Sequence, residues 1–252
     1  MLVETDAVVL HALDYLESSR ILRLATRESG VISVLARGAR RSKSRFGAAL
    51  DLFTGGTAQL ALRPGRDLQT LTGFDALRAR HALGADLARF TAASALAELA
   101  LRFVGDAPNA GAYDALVTAL DAVAVAPTER APEAALAGAW HLVAELGFAP
   151  SVDDCANCHE PLPAETADAF SHAAGGVLCP RCAAHAPGAR LLPPRARDAL
   201  RAWTAGVAHG TAGAADVAAH QRLLRLFLQA HLAEGRSLPA FEVWEGAHWE
   251  RR

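Results

Sequence analysis

The stretch RILRLATRESGVISVLA, residues 20–36, decides the fold of the N-terminal part of the chain. Two runs rich in Ile, Leu and Val flank RESG, whose composition is typical of a hairpin turn. Strand-like runs also occupy AVVLHAL (7–13) and both sides of RPGRD within FTGGTAQLALRPGRDLQTLTGF (53–74). Five short strands in about 75 residues predict a small β-barrel or sandwich.

A strongly basic segment, VLARGARRSKSRFGAAL (34–50), follows the third predicted strand. It holds five cations within nine positions and no intervening acid: Arg37, Arg40, Arg41, Lys43 and Arg45. We expect a loop that projects from the barrel and binds nucleic-acid phosphates, since the planar arginine fork suits phosphate oxygens. Phe46, beside the charges, is placed to stack on a base. A solvated loop and an anionic lipid surface are the alternatives.

The charge of the chain is unevenly distributed. The net charge is −2, yet residues 1–80 carry 12 Lys and Arg against 8 Asp and Glu, and residues 81–252 carry 13 against 19. This asymmetry predicts that polyanion contact is confined to the N-terminal part. Strand and turn placement adds four candidate phosphate contacts, each equally open to interpretation as a solvated surface charge: Arg20, Arg23, Arg63 and Arg66.

The apolar period changes near residue 80. From there apolar residues recur at steps of three and four, which predicts amphipathic helices. The helical stretches are 81–105, 111–124, 131–147, 193–206 and 216–235, with an interruption at 150–190. We therefore predict an α+β multidomain protein. Residues 1–80 would form the DNA-binding barrel, and residues 81–252 a helical bundle with an insertion at 150–190.

The insertion carries all four cysteines of the chain, in CANC (155–158) and CPRC (179–182). Two residues between thiolates let a tight turn aim both sulfurs at one point, and two such turns complete a tetrahedral zinc site. Cys155, Cys158, Cys179 and Cys182 are thus predicted to bind a structural Zn²⁺ in a zinc-ribbon-like module. Two disulfides, free thiols or an iron–sulfur cluster are the alternatives. A histidine replacing one thiolate is a further variant, from His159, His172 or His185.

Other classes of protein find less support in the sequence. There is no basic n-region with an apolar core at the start and no apolar run approaching ~18 residues, so we expect a cytoplasmic protein without a membrane span. A phosphate-binding GxxxxGK[ST] loop is absent, and Asp153 and Asp154 with scattered histidines make no catalytic constellation, so we expect no enzyme. A zinc-containing transcription regulator is the runner-up. It predicts a basic helix at the metal site, where residues 150–190 contain only Arg181 and Arg190.

The run SSRILRLATRESGVISVLARGARRSKSRFGAALDLFTGGTAQL (18–60) resembles the N-terminal signature of the RecO family of bacterial recombination mediators. GRDLQTLTGF (65–74), the four cysteines and the H-L-x-x-G-R-x-L run at 231–238 are similar to the same family. One departure is Pro239, which follows Leu238 where family members often carry a basic residue.

The resemblance implies an N-terminal OB-fold barrel and a non-enzymatic DNA-repair function in the bacterial cytoplasm, associated with the nucleoid. RecO-like proteins bind single- and double-stranded DNA and anneal complementary strands. With RecR they help RecA displace single-strand DNA-binding protein, whose acidic, apolar C-terminal tail they bind through the helical body. The five cations at 37–45 match the basic loop of the family. HQRLLRLFL (220–228) offers Arg222 and Arg225 for such a tail, but its leucines suit a core equally well, so we assign no tail site.

Overall fold

A computed structural model of the chain describes residues 1–47, 49–163, 168–211 and 213–246. Parts of the predicted insertion (164–167) and of the predicted helical domain (247–252) thus lie outside the described residues. None of the described helices has the length and apolarity that crossing a membrane requires.

The N-terminal part is a closed five-stranded barrel with strand order β1-β2-β3-β5-β4. Its strands are β1 (Leu2–Tyr15), β2 (Ser19–Thr26), β3 (Gly30–Ala36), β4 (Gly55–Ala61) and β5 (Leu68–Arg78). All pairs are antiparallel except β3–β5, which is parallel. This is an OB-like barrel, so the predicted barrel is confirmed and the sandwich alternative is wrong.

The barrel interior is filled because residues alternate across each strand. On β2, Leu22 and Leu24 are buried in the interior, while Arg23 between them is only half-buried. The interior cluster also takes two residues from the β3–β4 connection, Phe46 and Leu50. The basic segment is therefore anchored at its C-terminal end, while its five cations, which precede Phe46, stay exposed.

The C-terminal part is helical. Its helices are α1 (Leu87–Phe103), α2 (Ala110–Val125), α3 (Ala131–Glu145), α4 (Pro180–Ala183), α5 (Pro194–Thr204), α6 (Ala214–His231) and α7 (Pro239–Gly246). The side chains of Asp86 and Asn109 accept hydrogen bonds from backbone N–H groups and cap α1 and α2. The predicted helical body is confirmed. α7 was not predicted; it forms because Phe241 and Trp244 are buried against the rest of the body.

The insertion folds as a small three-stranded sheet with order β7-β6-β8. Its strands are β6 (Asp168–Ser171), β7 (Gly176–Leu178) and β8 (Arg190–Leu192). The fully buried Arg197 of α5 joins the sheet to the body. Its Nη1 donates to Asp168 Oδ2 at 2.9 Å and its Nε donates to the carbonyl oxygen of Val152 at 2.6 Å.

The barrel rests on the helical body through the β2–β3 turn. Gly30 has φ of +60°, and a Cβ there would lie 2.2 Å from the carbonyl oxygen of Gly105. The neighbouring N–H of Val31 donates to that same oxygen at 2.9 Å. Arg27 forms a two-pronged ion pair with Asp114 of α2. The barrel and the body therefore share a backbone contact that only glycine permits.

Gly30→Ala should destabilise the protein far more than Gly65→Ala. Both glycines have positive φ, but a Cβ at Gly65 would meet nothing within 4 Å. Gly65→Ala should cost about 1–2 kcal/mol for the left-handed backbone alone. Gly30→Ala adds a clash with Gly105 and should cost about 3–4 kcal/mol or more. Urea unfolding of both variants measures the difference; equal losses would mean that the close approach contributes nothing.

Candidate nucleic-acid interface and metal centre

One outer face of the barrel, formed by β1, β2, β3 and β5, combines aliphatic and polar side chains. The strand register places residues of these four strands in two rows across it. The rows are His11, Arg23, Ser33 and Leu68, and Leu13, Ile21, Leu35 and Thr70. Each of these side chains is at least partly exposed. The face thus offers apolar area to ligands, although aromatic residues are scarce.

A groove of about 550 Å³ lies at the end of this face. It is lined by Leu35 and Leu68 of the face and by three arginines from separate segments, Arg37, Arg63 and Arg66. Within the described part of the chain none of the three forms an ion pair, although Asp67 also lines the groove. We name Arg37, Arg63 and Arg66 the arginine groove. Arg37 belongs to the basic segment, whereas Arg63 and Arg66 precede β5. Closure of the barrel thus brings together candidate phosphate contacts that are separate in sequence.

Arg20 and Arg40 have a different environment, because both bind one carboxylate. Their Nε atoms lie 3.2 and 3.3 Å from the two oxygens of Asp14. One negative charge is thus shared between two partly exposed cations. These two arginines keep less free charge for an added ligand than the arginine groove does.

Arg23 lies on the outer face of β2. Its Nε is buried and has no hydrogen-bond partner. A buried donor without a partner is costly, and because this nitrogen is buried, only the partly exposed remainder of the side chain is open to a ligand.

The remaining cations of the basic segment, Arg41, Lys43 and Arg45, are exposed. Arg45 lies over the Phe46 ring, with its guanidinium carbon 5.0 Å from the ring centroid. Phe46 itself is 3% exposed and belongs to the barrel core, so the idea that it stacks on a base is wrong. Its apolar ring gains more from burial in the barrel than from exposure beside the charges.

The four cysteines converge at the insertion, and their sulfur atoms all lie within 4.8 Å of one another. The Sγ atoms of Cys158 and Cys179 are 3.8 Å apart. Sulfurs at the corners of a tetrahedron around a metal with bonds of ~2.3 Å would be separated by about 3.8 Å. All four cysteines are free thiols and gather at one point instead of forming two disulfide pairs. The donor set therefore fits a single metal ion.

The local backbone favours thiolates. Burial opposes ionisation of Cys155, but the N–H groups of Cys158, Cys179 and Asn157 donate to its sulfur and lower the pKa of this thiol to about 6. Arg181 lies beside the cluster, where the Cys158 sulfur and Glu160 raise the pKa of its guanidinium. Backbone donors and a neighbouring cation both stabilise the negative charge of a four-thiolate site.

The nearby histidines are not part of this cluster. Among the described residues, the group of possible metal ligands consists of the four cysteines and does not include His159, His172 or His185. His172 Nε2 is buried without a partner, and burial lowers the pKa of its ring. The variants in which a histidine replaces a thiolate are therefore not supported.

A second groove, of about 420 Å³, lies between the inserted sheet and α6. Its walls are mostly apolar and include Phe170, Leu191 and Leu223, while Arg190 and Arg222 add two cations and Asp216 one acid. We name it the sheet–α6 groove. Sequence analysis did not assign this groove. The run HQRLLRLFL pointed to Arg222 as a possible contact, but no local pattern indicated that β8 would bring Arg190 beside it.

Comparison with known proteins gives two family matches and a set of similar chains. A family described as "Recombination protein O N terminal" matches residues 1–80, and one described as "Recombination protein O C terminal" matches residues 84–239. A DNA repair protein RecO from Anaeromyxobacter sp. (strain Fw109-5) is 39% identical over 94% of this chain and 93% of its own length. The protein of that name from Rubrobacter xylanophilus is 33% identical over 94% and 95%.

The protein should bind one metal ion per chain through its four thiols. Elemental analysis after gel filtration should give about one metal ion per chain. The Cys158→Ser and Cys182→Ser variants should contain less metal, because each has lost a ligand. His185→Ala is the matched control, since His185 lies in the same module but outside the cluster, and it should keep the ion. Full metal content in both cysteine variants would contradict the site.

Proposed function

The chain belongs to the RecO family of DNA repair proteins, and from this premise we propose that it is a non-enzymatic recombination mediator. It binds single- and double-stranded DNA and anneals complementary strands. The observation that carries the proposal is the arginine groove, where three cations without ion-pair partners in the described chain lie at the end of the outer barrel face.

Annealing requires two phosphate backbones to approach while the base edges stay free to pair. Arginines that bind phosphates without reading bases meet this need, because each neutralised phosphate releases counterions and reduces repulsion between strands. In our proposal Arg37, Arg63 and Arg66 bind the first strand, and Arg23 supplies a further donor from the face. Arg41, Lys43 and Arg45 extend the basic surface along the β3–β4 connection. Arg20 and Arg40 contribute less, since they share Asp14.

We propose that the metal is zinc and that its function is structural. Four sulfurs within 4.8 Å of one another suit a single ion, whereas a cluster with several irons would hold its cysteines further apart. A four-thiolate site leaves no open coordination position for a water or a substrate. Cys155, Cys158, Cys179 and Cys182 would hold the ion and would order the segments on either side of the small sheet.

A sequence-reading zinc module finds little support. Arg181 is paired with Glu160 at 3.2 Å and Asp153 with Arg201 at 2.6 Å, while Asp154 adds a negative charge beside the first cysteine. Such a surface offers phosphate backbones little unpaired positive charge. We therefore favour the mediator over a transcription regulator.

The proposed protein partners follow the family: RecR, single-strand DNA-binding protein and, indirectly, RecA. We place the acidic, apolar C-terminal tail of single-strand DNA-binding protein in the sheet–α6 groove. Apolar walls would accept apolar side chains, and Arg190 and Arg222 would pair with the acids. His220 in the same groove adds no charge near neutral pH, since burial lowers the pKa of its ring to about 4. A cytoplasmic, nucleoid-associated location follows from DNA as the ligand.

Arg63→Ala with Arg66→Ala should flatten the salt dependence of single-strand binding. Losing two phosphate contacts should lower the slope of log affinity against log salt by about 1.4, whatever the sequence of the oligonucleotide. Fluorescence anisotropy across a salt series measures the slope, together with the rate of strand annealing. Arg195→Ala with Arg236→Ala removes the same charge from the helical body and should change neither. Equal slopes in both double variants would refute the phosphate contacts.

Arg222→Glu should weaken binding of a peptide from the C-terminal tail of single-strand DNA-binding protein by about tenfold or more, because a carboxylate replaces a cation that faces acidic residues. Peptide anisotropy measures this, and Arg236→Glu, outside the groove, is the matched control. DNA affinity should stay the same in both variants. If the two variants bind the peptide equally well, the tail lies elsewhere.

A further inference from the structure

The turn between β1 and β2 exposes large apolar side chains close to the basic segment. Leu16 is 76% exposed at the turn, and Leu13 and Tyr15, at the end of β1, are 55% and 40% exposed. Leu13 and Tyr15 lie on the same side of β1 because they are two residues apart. We call Leu13, Tyr15 and Leu16 the apolar tip.

The backbone of Leu16 is strained. Its φ is +52°, in the left-handed region that glycine and asparagine occupy at low cost in hairpin loops. A bulky side chain at such a position costs stability, and residues of this kind cluster at functional sites. The sequence thus places an exposed leucine where glycine would make the more stable turn.

The apolar tip is tied to the candidate phosphate contacts. The N–H of Arg40 donates to the carbonyl oxygen of Ser18, in the same turn, at 2.9 Å. Asp14, between Leu13 and Tyr15, pairs with both Arg20 and Arg40. A strand held by the basic segment would therefore pass close to the tip.

The shape and the apolar character of the tip favour contact with one part of a nucleic acid, the flat face of a base. A projecting apolar tip cannot enclose a ligand, but it can pack against a flat apolar surface. The faces of stacked bases are such surfaces, and inside a continuous duplex they are covered, so that exposing one requires unstacking. Where single strand meets duplex, one face of the terminal base pair is already open.

We propose that the apolar tip packs on the open face of the terminal base pair at a junction between single- and double-stranded DNA. This inference rests on the proposed DNA binding and adds a preferred substrate to it. During annealing the growing duplex always ends in such a face. The tip would hold that end while the arginines hold the incoming phosphates, so that the next base pair forms beside it.

The test compares three oligonucleotides of equal charge: a single strand, a blunt duplex, and a duplex with a single-stranded tail that carries 2-aminopurine at its terminal pair. The tailed duplex should bind the wild-type chain about tenfold more tightly than the other two, because it alone offers the tip an open terminal pair and the arginines an adjoining single strand. A gain of about tenfold corresponds to the stacking of one base. Its 2-aminopurine emission should change on binding, because the tip alters stacking at that base.

The variant is Tyr15→Ala with Leu16→Gly, which should fold because glycine accepts the backbone of residue 16. It should lose the preference and the emission change, while single-strand affinity and its salt slope stay within about twofold. Leu77→Ala, which removes a side chain 75% exposed elsewhere on the barrel, should keep both. Leu16→Gly alone should lose part of the preference.

Three results would overturn the inference. If single strands bind normally but the wild type shows no junction preference, the tip is not a base contact and the proposed function stands. If the double variant loses affinity equally for all three DNAs, the tip is a general contact. If the wild type binds none of the DNAs, the proposed function fails together with the inference.

Discussion

The close backbone contact at Gly30 is the constraint on which the arrangement of the molecule depends. Val8 and Leu10 of β1, Ala25 of β2 and Val31 of β3 join the same core as the helices. One end of these strands is thus buried against the helical body. The other end of the same strands carries the apolar tip, Arg20 and Arg37. Fixing one end of the barrel on the body leaves its opposite end free for a ligand.

Some arginines of the protein form ion pairs that stabilise the fold, and others stay available for a ligand. Arg27 and Arg80 at the junction are bound to Asp114 and Asp121 of α2, so they serve the fold. Arg80 is nearly fully buried, and its Nη1 also donates to the carbonyl oxygen of Phe53 at 2.7 Å. The arginine groove has no such ion pairs within the described chain. The excess of acids in residues 81–252 would repel DNA from the body and favour contact at the barrel.

The metal centre and the sheet–α6 groove are structurally linked. Phe170 of β6 is buried, lines the groove and packs near Phe227 of α6, with ring centroids 6.4 Å apart. β8, which carries Arg190, pairs with β6. The cysteines lie on segments that flank β6 and β7, so an ion bound by them would order this small sheet and thereby position one wall of the groove. A structural metal can in this way support a binding site without touching the ligand.

The sequence by itself determined the features that depend on local patterns. Alternating apolar residues around RESG defined the β2–β3 hairpin, the three-to-four spacing defined α1 to α3, and the paired CxxC motifs defined the four cysteines that cluster. Tertiary structure decided the rest, because closing the barrel brings distant segments together. It buried Phe46, joined Arg37 to Arg63 and Arg66, and paired Arg20 and Arg40 with Asp14. It also formed α7, because the burial of this helix depends on contacts with residues that are distant in sequence. Sequence periodicity reports which side of a strand or helix is apolar, and only the packed fold shows which charges remain unpaired.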